Sequence, residues 1–319
     1  MSRVTALQKP QPARDLHQEL AALQAGDPSL TQAEISRQSG IGQARLNQWM
    51  AGRYKGDVAR LERDLATWID TYNERQLAGR MLPQAPDWVE TPTADRITSA
   101  LGYAQVAADL TVIYGGAGLG KTRSLKHYAE TNPNVWIVET TPTTNTRGAF
   151  LRNIAWCLGH RIPKGHADIL ERSLIDRIRG TNGLLIVDEA QFLNEGALET
   201  ARRITELAGI GLALSGNERV YAQLTGGTRA ADFAQLFSRI GKRVRLTRAT
   251  QADIDAIIAA WSIDAKPCRD VLREIAAKPG ALRGLTKVLR LASMFAAGDG
   301  RAITCEDIKS AWRDLGGDQ

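Results

Sequence analysis

The spacing of apolar residues changes character twice along the chain. Over the first eighty residues it keeps a three- and four-residue step through 15–24, 31–39, 43–50 and 57–77, which predicts four helices with no alternating run between them. Residues 81–95, MLPQAPDWVETPTAD, then hold three prolines in a polar stretch, the composition of a linker or lead-in segment. From Arg96 short, almost wholly apolar runs alternate with helical stretches: LTVIYGG (110–116), VWIVET (135–140), LLIVDEA (184–190), GLALSGN (211–217) and RVRLT (243–247). Such runs fit strands buried on both faces of a parallel sheet with helical crossovers. After Arg248 no strand pattern returns, and 251–261, 267–277, 282–295 and 305–312 predict a small helical domain.

The expected fold is therefore multidomain α and α/β. An all-helical domain spans 1–80, a linker or lead-in 81–95, a parallel-sheet α/β core 96–248 and a helical lid 249–319. A length of 319 residues suits two or three domains.

Composition adds limits. Hydrophobic residues at 43% and charged residues at 24% are ordinary for a globular protein, and no run approaches the roughly 20 apolar residues of a membrane span. Residues 1–11 are polar and mixed in charge with no apolar signal core, so a cytoplasmic protein is expected. Cys157, Cys268 and Cys305 are odd in number, far apart and without CxxC spacing, and are read as reduced packing residues. A net charge of +6 is compatible with a polyanionic partner such as DNA. The excess is uneven, with Arg239, Lys242, Arg243, Arg245 and Arg248 close together.

The strongest chemical signal is GGAGLGKT, placed after an apolar strand and before a helical pattern, as a phosphate-binding P-loop must be. Glycines let the backbone turn so that successive N–H groups and a helix N-terminus surround phosphates. Gly115, Gly116, Ala117, Gly118, Leu119, Gly120, Lys121, Thr122 and Arg123 form the expected nucleotide-binding stretch. Lys121 supplies a charge at the β- and γ-phosphates and Thr122 a hydroxyl for Mg²⁺. The second signal is LLIVDEA, which puts Asp188 and Glu189 at the end of a buried strand. Asp188 would hold Mg²⁺ and Glu189 would polarise an attacking water; the plain alternative is an acidic pair that only caps a strand. The expected ligands are ATP and Mg²⁺.

Together with a polar residue after the next strand (Asn217), a distal arginine and a helical lid, these motifs resemble an AAA+ ATPase over residues 96–319. That resemblance implies roles for three further residues. Asn217 matches the sensor-1 position, unless it only starts a turn. Arg239, in FSRIGKRVRL, stands where the family carries an arginine finger that reaches a neighbouring subunit's nucleotide; Arg243 is the fallback and a solvated basic face the alternative. Arg283, in PGALRGL, matches sensor 2, against an ordinary helix-surface arginine.

In the N-terminal part, LTQAEISRQSGIGQARLNQWMAG (30–52) puts Gln32, Ile35, Gly40, Ile41, Leu46, Trp49 and Gly52 where a helix-turn-helix keeps its buried residues and turn. The second helix would offer Gln43, Arg45, Asn47 and Gln48 to DNA, with Lys55 beyond it, although such domains also dock proteins.

A short helix-turn-helix domain followed by a lone AAA+ unit that opens with WVETPTADRI resembles the B transposition protein family of Mu-like phages, related to ATPases of Tn7-like elements. The resemblance implies a homo-oligomeric ring or helical filament on double-stranded DNA with little sequence preference. It also implies delivery of that DNA to a DDE transposase, release governed by hydrolysis, and no membrane. Two other readings share the motifs: an AAA+ helicase loader, and a helix-turn-helix transcriptional regulator with an ATPase switch.

Overall fold

A computed structural model describes residues 14–81, 86–159, 166–225 and 240–317. The chain divides into two compact units between Leu82 and Pro83, each described by itself.

The first unit is helical: α1 (Leu16–Gly26), α2 (Gln32–Ser39), α3 (Gln43–Met50) and α4 (Val58–Met81). Local signals set the helix ends. Asp15 and Thr31 cap α1 and α2 by accepting first-turn N–H bonds, and Asp57 accepts from Arg60 N at the start of α4. Gly40, at φ 73°, ends α2 in the left-handed region, so only three residues separate it from α3. Leu20, Ile35, Leu46, Trp49, Leu65 and Ile69 form the core, and Trp49 keeps its indole N–H satisfied on Glu62 Oε1 at 3.1 Å.

The second unit begins with α5 (Pro92–Ala107) and continues through β1 (Leu110–Gly115), α6 (Lys121–Thr131), β2 (Val135–Glu139), α7 (Arg147–Cys157), α8 (Ala167–Ile178), β3 (Leu184–Asp188), α9 (Glu195–Ala208), β4 (Gly211–Gly216), α10 (Glu218–Thr225) and β5 (Ile240–Leu246). The strands pair in parallel in the order β2-β3-β4-β1-β5. Alternate residues separate onto the two faces. Val112, Tyr114, Leu185, Val187, Leu212 and Leu214 join the core built with α7, α8 and α9. Ile113, Leu184, Ile186 and Ala213 join the one built with α5 and α6. Strands β1, β3 and β4 are buried along their whole length, which is why they read as continuous apolar runs. The last strand differs from its sequence reading. β5 starts three residues before the RVRLT run and alternates Val244 and Leu246 inward with Arg243 and Arg245 outward, because it lies at an edge of the sheet.

Four helices close the unit: α11 (Gln251–Ala260), α12 (Lys266–Ala277), α13 (Ala281–Gly298) and α14 (Cys305–Asp314). They share a core of Ile258, Leu272, Leu285, Val288, Leu289 and Ile308, against which Val89 of the lead-in segment also packs. The reduced state expected for all three cysteines is corrected here. Cys268 of α12 and Cys305 of α14 form a disulfide across 37 residues of chain, and Cys157 alone is a free thiol among the described residues. Spacing concealed the pair because two helices, not a short loop, bring the sulfurs together.

A second tie joins α5 to α11. Asp253 is fully buried and accepts from Thr93 N (2.8 Å), Thr93 Oγ1 (2.7 Å), Thr250 N (2.8 Å) and Thr250 Oγ1 (2.7 Å). Burial alone would raise its carboxyl pKa, but the four donors reverse that and hold it below the ordinary carboxylate value. Among the described residues no helix is long and apolar enough to cross a membrane.

Candidate nucleotide-binding site

The order β3-β4-β1 sets the carboxyl ends of three buried strands side by side, the crevice where open α/β sheets bind ligands. From β1 the chain turns through Gly115 to Gly120 into α6. Gly115, at φ 141°, lies so close to β5 that a Cβ would fall 1.8 Å from Leu246 O. Gly118, at φ 76°, meets the lid: a Cβ there would fall 2.2 Å from Gly280 O, and Arg283 N donates to Gly118 O at 3.3 Å. No side chain other than hydrogen fits at either position. Gly120 caps α6 without a side-chain bond, so the first-turn N–H groups face the loop with the positive end of the helix.

Lys121 is half-buried, and its Nζ donates to Gly115 O (2.9 Å) and Gly116 O (2.6 Å). Burial lowers its pKa; Glu189 and Asp188 oppose that, and Arg283 adds to it. Arg283 lies against the loop, its Cβ 3.3 Å from where a Cβ on Gly118 would fall. Asp188 is buried and receives three bonds: Thr122 Oγ1 on Oδ2 at 2.8 Å, and Ser215 Oγ (2.9 Å) with Glu189 N (3.0 Å) on Oδ1. Glu189 is half-buried with its backbone in the left-handed region at φ 56°, and Thr140 Oγ1 donates to its carbonyl at 2.7 Å. Asn217 is exposed; its Oδ1 caps α10 by accepting from Arg219 N at 2.9 Å, the turn-starting role open to it from sequence. Leu119 is buried, while Gly116, Ala117 and Arg123 are exposed along the loop and the first turn of α6.

The site thus gathers Gly115 to Arg123, Asp188, Glu189, Asn217 and Arg283 around one crevice. Arg239 lies outside the described residues. Its fallback Arg243 sits over the Tyr221 ring of its own chain, 5.9 Å from the centroid. In the N-terminal unit Gln43, Arg45, Asn47, Gln48 and Lys55 are all exposed. Sequence reasoning missed Ser215 and Thr140. The signal for Ser215 was a hydroxyl in an otherwise apolar buried strand, which has to find a partner.

The residues fit a nucleotide and a divalent ion. The loop presents N–H groups, a helix N-terminus and one ammonium, the donor set that suits a polyphosphate. Thr122 Oγ1 and Asp188 Oδ2 are 2.8 Å apart, close to the roughly 2.9 Å between adjacent oxygens of an octahedral site with 2.0–2.1 Å bonds.

The return of the helical lid onto the loop, through Gly118 and Gly280, completes an arrangement that belongs to one class of phosphate-loop enzyme: the fold and site define an AAA+ ATPase. Residues 105–224 match an AAA domain family, and residues 238–315 match the family described as Mu B transposition protein, C terminal. The chain belongs to the Mu B family of transposition proteins. It is 37% identical over 282 residues to the ATP-dependent target DNA activator B of Escherichia phage Mu, covering 88% of this chain and 89% of that protein. It is 35% identical over 263 residues to the Mu-like prophage FluMu DNA transposition protein B of Haemophilus influenzae, covering 82% and 91%. Among solved structures, Drosophila ORC bound to DNA has a similar fold, with a TM-score of 0.50 and 16% identity over 76% of this chain and 66% of that chain.

Proposed function

We propose that this chain binds ATP with Mg²⁺ in the crevice and uses it to capture target DNA for a DDE transposase, with hydrolysis governing release. The observation that carries the reading is the direct backbone contact between the phosphate loop and the lid at Gly118, Gly280 and Arg283. A triphosphate held by that loop would touch both parts, so binding and hydrolysis would change how they meet. The names of the Mu and FluMu relatives support the DNA and transposition part.

In this reading Lys121 exchanges its bonds to the loop carbonyls for the β- and γ-phosphates, and the N–H groups of Gly118 to Thr122 surround the same oxygens. Thr122 and Asp188 hold Mg²⁺, which when bound neutralises charge on the phosphates. Ser215 fixes the Asp188 carboxylate from β4. Glu189 accepts the proton of the attacking water, Asn217 orients that water through the amide end its cap bond leaves over, and Arg283 contacts the γ-phosphate from the lid. Arg239 of one copy completes the site of the next, which ties turnover to a homo-oligomeric ring or helical filament. Gln43, Arg45, Asn47, Gln48 and Lys55 give the N-terminal unit a polar and basic face for double-stranded DNA, read mostly without sequence preference. The setting is the cytoplasm of a bacterial host.

The test is binding of the full chain to random-sequence duplex with ATP, with ADP and as Lys121→Ala, read by filter retention and negative-stain microscopy. Cooperative, ATP-dependent rings or filaments on any duplex, weakened steeply by salt, are expected. Operator-specific binding indifferent to nucleotide would overturn the proposal in favour of a regulator.

A further inference from the structure

Two residues beyond Glu189, in the single helical turn Ala190–Phe192, Gln191 bonds through both ends of its amide. Nε2 donates to Glu189 Oε2 at 2.5 Å, and Oε1 accepts from Asn217 N at 3.2 Å. Its backbone carbonyl accepts from Gln223 Nε2 of α10 at 3.2 Å. The seat is made by Gly216, where a Cβ would fall 2.1 Å from Gln191 Oε1 and 2.5 Å from Val220 Cγ2. Any side chain there would evict the amide. Beneath it the Glu189 backbone is already fixed by its left-handed conformation and by Thr140. The contact that orients the carboxylate is therefore the Gln191 amide.

We infer that Gln191 is a positioning residue that restrains Glu189 and links it to the β4–α10 junction. The inference rests on Glu189 being the residue that takes the proton from water. A carboxylate oxygen engaged by an N–H donor turns a lone pair to that donor and away from a water, and a general base must be within hydrogen-bond reach of the proton it takes. The same amide holds Asn217 N, so a movement of the first turn of α10 pulls on Gln191 and frees Glu189 Oε2. Contact at the β4–α10 junction is thereby converted into a change in the direction that Glu189 Oε2 faces. The two bonds run through one planar amide, so the linkage involves no backbone rearrangement.

The experiment compares steady-state ATP hydrolysis by the full chain as wild type, Gln191→Met, which keeps the length and removes both bonds, and Gln191→Asn, whose amide is one carbon too short to span both partners. Each variant is checked for an unchanged melting profile, and the second stands in if the first does not fold. Release of one charge-assisted hydrogen bond is expected to raise basal kcat about tenfold while KM for ATP stays within about twofold. An unchanged or lowered kcat, or a change confined to KM, overturns the inference. Glu189→Gln run alongside separates the two claims. Wild-type turnover in that variant removes the role given to Glu189, whereas its loss combined with wild-type behaviour of both Gln191 variants removes only the role given to Gln191.

Discussion

Replacing Asp253 tests how firmly the lid is fastened to the start of the α/β core. In Asp253→Ala the hydroxyls of Thr93 and Thr250 can turn to other acceptors and Thr250 N, on an exposed residue, can turn to water, but the buried Thr93 N, bonded at 2.8 Å, cannot. A buried, unsatisfied N–H costs about 1–3 kcal/mol, so roughly 3 kcal/mol is expected with the lost charged bonds. Asp253→Asn keeps an oxygen for the three donors on Oδ2 and turns an NH₂ toward Thr93 N, a loss of one bond worth about 1–2 kcal/mol. For a folding unit of this size each kcal/mol shifts Tm by roughly 2–4 °C, so the alanine variant should melt about 10 °C lower and the asparagine variant about 5 °C lower. Differential scanning calorimetry of the full chain measures this, the relevant transition being the one that ATP raises. The pH dependence has a definite sign. The folded pKa of Asp253 lies below its ordinary 3.8, so its contribution is complete above that value and is lost as pH falls through the lower folded pKa. The gap between wild type and Asp253→Ala should therefore be flat at neutral pH and narrow below about pH 4. An alanine variant within about 2 °C of wild type, or an asparagine variant as damaged as alanine, would refute the four-donor account.

Three other outcomes follow from the same geometry. Ser215→Ala removes a bond that orients the buried Asp188, so the Mg²⁺ concentration for half-maximal hydrolysis should rise roughly tenfold, with Tm lower by about 5 °C. Gly118→Ala places a Cβ in the left-handed region and against Gly280 O, and equilibrium titration should find ATP bound at least about tenfold more weakly; unchanged affinity would show the lid contact to be dispensable. The Cys268–Cys305 bond should be found by peptide mapping without reductant, and Cys268→Ser should lower stability by up to about 4 kcal/mol, as dithiothreitol does to wild type but not to the variant.

The parts of the site that are contiguous in sequence were legible in it. GGAGLGKT carries its turn glycines, ammonium and hydroxyl in one stretch, and LLIVDEA carries its acids at the end of its own strand. The five strands could be placed from apolar runs, β1, β3 and β4 most clearly, because buried parallel strands have no polar face to blur the run. What escaped depends on residues far apart in the chain. Ser215 meets Asp188 across 27 positions, Thr93 meets Asp253 across 160, and the disulfide bridges 37. Gln191 is close to Glu189 in sequence, yet its second partner Asn217 comes from the next strand, and only the packed sheet brings the two together. The edge position of β5 was hidden for the same reason, since strand order is a property of the whole sheet.

That edge strand also bears on how the chain resists aggregation. An open strand edge invites another strand to extend the ladder, and such growth is hard to reverse. β5 presents Lys242, Arg243 and Arg245 within four positions, so a second β5 laid alongside would place like charges about 5 Å apart on adjacent strands. Sheet extension at this edge is disfavoured from the start. Chains crowded together are thereby kept from joining edge to edge at this strand into an irreversible aggregate.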